Sequence, residues 1–410
     1  MCGGQPFTAS YRYLGMLHRI VPIALLVSCG FQLHAADTLR ICTYNVLRYG
    51  QSNEDGRTVR FGRILNEIRP HILACQEVED ASIISRFVND VFTWGSYASA
   101  AFTDGQDTDN MLFYDQERLT LLGQRRLPTE LRDIAEYTLA TKPRVGVQPD
   151  TIVVYSMHLK ASDGSEDALQ RGREAAVVRN NLTTARYVVA CGDLNLYSTQ
   201  EPAYIAFTST TAGMGFVDPV GANWVRNVER HAGIYTQATR TSGDAACGGG
   251  VGGGVDDRFD YIFLSGPLAQ RLVPNSYRAF GNDGVPRLNS AINNPPNQVV
   301  SAQLADDLRC ASDHLPVTCA VVVGDVPASL RGDNMQPMPQ IWPTVADTHV
   351  TITGLQPGEP YAVYTTAGDL VFSGTATTNT ERHSVTGYAS GRYTIASAAG
   401  AWRLAFAVVR

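Results

Sequence analysis

TIVVYSMHLKASDGSEDALQRGREAAVVRNNLTTARYVVACGDLN, residues 151–195, decides how the chain reads. One apolar run, Ile152–Met157, ends at His158, and a second, Tyr187–Cys191, ends at Asp193 and Asn195. Between them, Ser165–Thr184 carries Ala175, Val178 and Leu182 on one helical face. Short apolar runs bounded by turn residues are strands, so the segment is strand, helix, strand, with polar side chains placed at the strand ends. Such alternation builds packed α/β layers.

Other blocks share this design. TYN at Asn45 follows the run Leu39–Tyr44, and CQE at Glu77 follows Ile72–Cys75. RFD at Asp260 precedes Tyr261–Leu264, and SDH, with Asp313 and His314, precedes Pro316–Val323. Arg57–Arg69, with Phe61, Ile64, Leu65 and Ile68 on one face, is a helix feeding the CQE strand. If the last two strands run antiparallel to the first four, all these polar groups meet on one edge of a sheet. That edge holds oxygen ligands for a hard divalent cation beside two histidines able to move protons.

In these blocks, taken in order over Thr38–Gly324, the chain resembles the endonuclease/exonuclease/phosphatase superfamily of Mg²⁺-dependent phosphoesterases. GDLN or SDH alone recurs by chance; the ordered set is specific. The resemblance implies an α/β fold, a four-layer sandwich of two mixed β-sheets flanked by helices. It implies Glu77 as the principal metal ligand, helped by Asn45 and Asp313. Mg²⁺ takes few carboxylates and several waters, with Mn²⁺ or Ca²⁺ as alternatives.

Asp193 and Asn195 flank Leu194 and point the same way in an extended segment. That allows Asp193 to align or deprotonate water while Asn195 donates to a non-bridging phosphoryl oxygen. The resemblance pairs His314 with Asp260, as base or as charged stabiliser, and sets His158 near the leaving oxygen as general acid. Lys160, Arg171, Arg173 and Arg240 are candidate phosphate contacts, and Asn110 in DNMLFY is a candidate substrate contact.

The 410 residues carry a formal net charge of -6, enough chain for one large α/β domain and a small one. Lysine occurs only at 142 and 160, so no basic excess announces a nucleic-acid binder. A bound cation and local arginines hold phosphate all the same.

Residues 1–36 read as a secretory signal: a basic start at Met16–Arg19, an apolar core Ile20–Val27, and small residues ending Leu33–Ala36. The alternative is a lipoprotein box, Leu26–Cys29, with Cys29 lipidated. No later stretch is apolar enough to span a bilayer. Export permits disulfides; Cys247 and Cys310, in loops flanking RFD and SDH, are the pair expected to clamp the site rim, whereas Cys42, Cys75 and Cys191 lie in strand runs as small hydrophobes. The glycine-rich run GGGVGGG, residues 248–254, reads as a mobile loop.

After the domain 37–324, the proline-rich segment 325–346 reads as a linker. Residues 347–410 have short alternating runs separated by glycine turns, a small C-terminal all-β sandwich. Its layout resembles type IX secretion sorting domains, implying that machinery as a partner and a secreted or surface location.

The leading function is an exported nuclease with DNA or RNA as substrate. A sphingomyelinase-like or other small phosphate-ester hydrolase is the alternative, with Tyr204, Phe207, Phe216 and Trp224 lining an apolar entrance. A non-catalytic surface binder ranks last.

Overall fold

In the computed structural model the apolar runs of the large α/β region pair into two mixed sheets, as expected. The structure describes residues 37–50, 56–144, 148–210, 215–324, 339–355, 357–397 and 403–410. The signal or lipoprotein segment and residues 325–338 of the expected linker lie outside them.

The strands of the large α/β region are β1 (Asp37–Tyr49), β2 (Ile72–Val78), β3 (Tyr97–Ser99), β4 (Asp109–Asp115), β5 (Leu119–Leu127), β6 (Ile134–Thr141), β7 (Thr151–His158), β8 (Tyr187–Asp193), β9 (Phe216–Val217), β10 (Asp260–Ser265), β11 (Arg278–Ala279) and β12 (Val317–Val323). The helices are α1 (Arg57–Ile68), α2 (Ser82–Arg86), α3 (Ser165–Asn180), α4 (Pro202–Thr208), α5 (Gly266–Ala269) and α6 (Ala302–Ala311). One sheet has the order β11-β12-β1-β2-β4-β3 and the other β5-β6-β7-β8-β10-β9.

Strand directions are those the polar ends require. β1 runs parallel to β2 and antiparallel to β12. β7 runs parallel to β8, which is antiparallel to β10. The expectation of a single sheet edge is corrected: the blocks divide between two facing sheets and meet where both end.

Alternation along each strand builds three apolar layers. Leu39, Ile41, Ile72 and Ala74 from one sheet face Ile152, Val154, Val189 and Ile262 from the other. On the first sheet's outer side, Phe61, Ile64 and Leu65 of α1 and Leu304 and Leu308 of α6 cover Tyr44, Cys75 and Phe113. On the second sheet's outer side, Ala175 and Val178 of α3 and Tyr204 and Phe207 of α4 cover Tyr155, Ala190 and Phe263. Strands buried on both faces need apolar residues at every position, which is why they read as unbroken runs. The result is helix, sheet, sheet, helix, the four-layer arrangement.

Helix α3 stops at Asn180 rather than Thr184, with the Asn181 side chain bonded back to the Val177 carbonyl. Among the described residues no helix is long and apolar enough to cross a membrane.

The C-terminal region is all-β. Strands β13 (Gln340–Trp342), β15 (His349–Thr353) and β18 (Thr380–Ser384) form one sheet. Strands β14 (Val345–Ala346), β16 (Pro360–Thr365), β17 (Leu370–Thr375), β19 (Gly391–Ser397) and β20 (Arg403–Val408) form the other. Val350, Ile352, Val363, Ile395 and Phe406 share its own core. Strands β13 and β14 fall inside 325–346, the segment expected to be a linker.

Candidate active site

The site lies where β1, β2, β7 and β8 end and where β10 and β12 begin. In the second sheet, Asp193 is the register partner of both His158 and Asp260, so one cross-strand row carries the His158 imidazole, then the Asp193 carboxylate in the middle and the Asp260 carboxylate beyond it. In the first sheet, Asn45 pairs with Gln76 just before a register shift. Glu77 follows with φ 57°, in the left-handed region. A non-glycine residue there costs roughly 1–2 kcal/mol. Such strain persists where the surrounding structure over-determines it, commonly at functional sites.

Asn45 ties the two sheets together. Its Nδ2 donates to Glu77 Oε1 at 2.9 Å and to Asp193 Oδ2 at 3.0 Å, while Oδ1 accepts from the Leu47 N–H at 2.9 Å. Asn45 thus positions the two carboxylates through its amide nitrogen, while its amide oxygen keeps one lone pair beyond the Leu47 N–H.

His314 Nδ1 lies 2.7 Å from Asp260 Oδ2, and its Nε2 lies 3.5 Å from Asp193 Oδ2. The backbone N–H of His314 bonds to Ser312 Oγ, which donates to the Asn45 carbonyl at 2.7 Å. Burial opposes a charged ring, but the Asp260 and Asp193 carboxylates outweigh it and hold His314 protonated well above the ordinary histidine range. Asp193 is pushed up to about 7 by burial, against the His314 charge and reinforced by Asp260 and Glu77. In this pair the proton belongs on His314.

His158 is buried with Nδ1 unpartnered, 3.9 Å from Glu77 Oε1, and Nε2 3.5 Å from Asp193 Oδ2. Burial, then the Arg132 and His314 charges, push it well below the usual range. The ring is therefore neutral in the substrate-free chain.

These groups fit a divalent cation. Glu77, His158 and Asp193 each offer an atom within 4.8 Å of the others. Burial, then the Asp313 charge, raises the Glu77 carboxyl, and Asp313 Oδ1 is buried without a hydrogen-bond partner. Clustered carboxylates with buried, unpaired oxygens are a donor set suited to a divalent cation.

Asn195, at φ 49°, donates its backbone N–H to Asp193 Oδ1 at 3.1 Å and Nδ2 to the Leu159 carbonyl at 3.2 Å. Asp193 and Asn195 thus form a local turn rather than the extended pair expected.

The expected phosphate contacts are engaged elsewhere. Arg171 is buried, with Nε on Glu201 at 2.7 Å and Nη1 on the Lys160 and Ser162 carbonyls. Arg173 pairs with Glu130 on the surface. Lys160 Nζ pairs with Asp167 at 3.0 Å. Arg240 is buried against the carbonyls of Cys247 and Gly249. Asn110 is interior as well, accepting from Ser156 Oγ at 2.8 Å and donating to the Asp133 carbonyl at 2.9 Å. Tyr204, Phe207, Phe216 and Trp224 sit in the core beneath the second sheet, so they line no entrance.

Three features escaped the sequence reading. A buried polar chain crosses between the sheets: Thr43 Oγ1 to Gln76 Oε1 at 3.1 Å, Gln76 Nε2 to Ser156 Oγ at 3.0 Å, then Asn110. Gln76 adjoins Glu77, and Ser156 precedes His158 by two, so this chain fixes the spacing of Glu77 and His158 across the sheets. Gln237 places its carboxamide 2.5 Å from His314 Nε2; a protonated ring requires the amide oxygen there, since two N–H groups cannot face each other. Arg132 bonds Asp107 at 2.8 Å and acts electrostatically on both His158 and Glu77.

No protein-family model matches the chain, and no curated protein matches its sequence. Solved structures with a similar course of the chain exist at low identity. A humanized D. rerio TDP2 is 18% identical with a TM-score of 0.45, over 70% of this chain and 99% of that one. The human nocturnin catalytic domain with bound sulfate is 18% identical with a TM-score of 0.43, over 70% and 98%. An endonuclease/exonuclease/phosphatase family protein from Bacteroides thetaiotaomicron is 15% identical with a TM-score of 0.44, over 70% and 98%. Likeness of this degree assigns no activity. The four-layer architecture and the convergence of Glu77, His158, Asp193, Asp260 and His314 are those implied by the sequence blocks' resemblance to the endonuclease/exonuclease/phosphatase superfamily.

Proposed function

We propose that this chain is a metal-dependent phosphoesterase of that superfamily, an exported nuclease that hydrolyses DNA or RNA phosphodiester bonds. The observation that carries the reading is the meeting of Glu77, His158 and Asp193 with the Asp260–His314 pair, at the shared ends of two sheets. Export rests on residues 1–36 and on the sorting-like C-terminal sequence, with the type IX machinery as the partner proposed for it.

Mg²⁺ favours oxygen ligands and retained waters, so Glu77 is its principal holder, with Asp313 in support, and His158 keeps its nitrogens for protons. Bound there, the cation neutralises charge on the phosphoryl oxygens. The chain's own groups do the rest. Asp193, at about 7, is matched to taking a proton from the attacking water near neutral pH. The His314 imidazolium, held by Asp260, faces the charge that develops on phosphorus-bound oxygen. Asn195 uses one amide N–H on the Leu159 carbonyl and has a second for a non-bridging oxygen. An arriving phosphodiester brings negative charge beside His158, which favours its protonated form and lets it supply the leaving oxygen's proton.

Nicking of supercoiled plasmid by the full chain in Mg²⁺, compared with EDTA and with His314→Ala, tests the reading. Nicking lost in both controls supports it. A folded protein that cleaves bis-p-nitrophenyl phosphate or sphingomyelin but leaves plasmid intact moves the substrate to small or lipid phosphoesters. Binding without EDTA-sensitive turnover sinks the enzymatic reading.

A further inference from the structure

The glycine run is not the loose loop its composition suggests. Asp244 and Gly249 exchange backbone hydrogen bonds at 3.1 and 2.9 Å, and Gly253 and Gly254 donate to the carbonyls of Thr241 and Arg240. Arg240 fills the turn from beneath, holding the Cys247 and Gly249 carbonyls. The segment is also fastened sideways to α6. Cys247 is disulfide-bonded to Cys310, and Asp244 pairs with Arg309 at 3.1 Å. Cys310 lies in the helix, not in the loop expected for it, and that helix runs straight into Ser312, Asp313 and His314.

The tip of the segment reaches the site. The Val251 N–H donates to Asp313 Oδ2 at 2.8 Å. Gly250, at φ +75°, lies so close that an added Cβ would stand 2.8 Å from the same oxygen and 3.0 Å from Leu47 Cδ2. With Oδ2 so held, Oδ1 is the oxygen left buried and unpartnered, 4.0 Å from His314 Nε2. A carboxylate fixed through one oxygen has a single direction in which to offer the other.

We propose that the segment Asp244–Gly254, closed by the Cys247–Cys310 bridge, is the positioning element for Asp313, with the Val251 N–H as its working group. The bridge acts at one remove: it keeps that N–H on Oδ2, so that Oδ1 faces the cation site. Val251 and Cys247 are positioning residues, touching neither cation nor substrate. The inference rests on the metal-site reading above.

Two variants of the full chain separate the parts. Cys247→Ser with Cys310→Ser removes the tether and keeps the loop sequence. Val251→Pro removes the N–H and keeps the tether; the residue is 50% exposed, so little packing is lost. The readout is the dissociation constant for Mn²⁺ by calorimetry, beside the Mg²⁺ concentration that half-saturates diester turnover. Groups that orient metal ligands are worth about 10- to 100-fold in metal affinity, so both readouts are expected to rise by about tenfold in each variant. Should the serine pair fail to fold, Val251→Pro alone gives the answer. Wild-type affinity for Mn²⁺ in a folded Val251→Pro overturns the proposal while leaving the active-site reading intact. A wild-type chain that neither binds Mn²⁺ nor turns over a diester fails both.

Discussion

Asp260 Oδ2 lies 2.7 Å from His314 Nδ1, with both side chains buried, Asp260 opening β10 of one sheet and His314 just ahead of β12 of the other. The pair joins the two halves of the site and sets the state of the ring. A raised His314 pKa means the imidazolium is present below that pKa and lost as pH rises through it. Asp260→Asn keeps the shape and removes the charge. We expect kcat to fall by at least about 100-fold, the scale of a displaced acid–base group. The alkaline limb of the pH–rate profile should move to lower pH. An unchanged limb in the folded variant would refute the pairing.

The chain Thr43–Gln76–Ser156–Asn110 predicts a stability cost coupled to activity. Gln76→Ala leaves Thr43 and Ser156 without their buried partner, a loss of about 1–3 kcal/mol. Denaturant unfolding measures this. A drop in turnover of the still-folded variant should accompany it, because Glu77 and His158 are set by the same hydrogen bonds.

Arg171 should behave as a structural residue. It sits between Glu201 and two carbonyls, with its guanidinium 5.3 Å from the Tyr197 ring centre. Arg171→Met breaks a buried ion pair, at a cost of about 3–5 kcal/mol. Steady-state kinetics below the melting range should show an unchanged KM. A large rise in KM at unchanged stability would restore it as a phosphate contact.

His71 supplies a pH test remote from the site. Its Nδ1 accepts the Arg40 N–H at 3.0 Å, and burial, then the Arg40 and Arg118 charges, lower its pKa to about 3. A histidine with a lowered folded-state pKa contributes stability that is complete above its unfolded value near 6.5. That contribution drains away as pH falls toward 3. His71→Asn keeps an acceptor and cannot protonate. Between those values its stability should depend on pH less steeply than the wild type's, by up to about 1.4 kcal/mol per pH unit. Unfolding measured across that range decides it.

Much of this was legible because it is local. Asn45, Glu77, His158, Asp193, Asp260 and His314 each stand at the end of an apolar run, and strand ends are readable from periodicity alone. The two sheets were expected, but the division of the blocks between them was not legible, since pairing such as that of β1 with β12 joins partners far apart in sequence. The same limit hid Gln76 and Ser156, which look like ordinary strand residues until the sheets face each other. The arginines were read as phosphate contacts for a related reason: in sequence Arg171 and Arg240 look like free cations, and only tertiary structure supplies the Glu201 carboxylate and the loop carbonyls that bury them. The glycine-rich run 248–254 suggested looseness by composition, whereas Gly250 is small because Asp313 and Leu47 leave no room for a side chain.

The most direct test compares supercoiled-plasmid nicking by the wild type and by Glu77→Gln, each in Mg²⁺ and in EDTA. The site described here predicts relaxed plasmid only for the wild type with Mg²⁺, with Glu77→Gln reduced by at least about 100-fold, the scale of losing a principal metal ligand. Nicking that survives EDTA, or that Glu77→Gln retains at the wild-type rate, would contradict it.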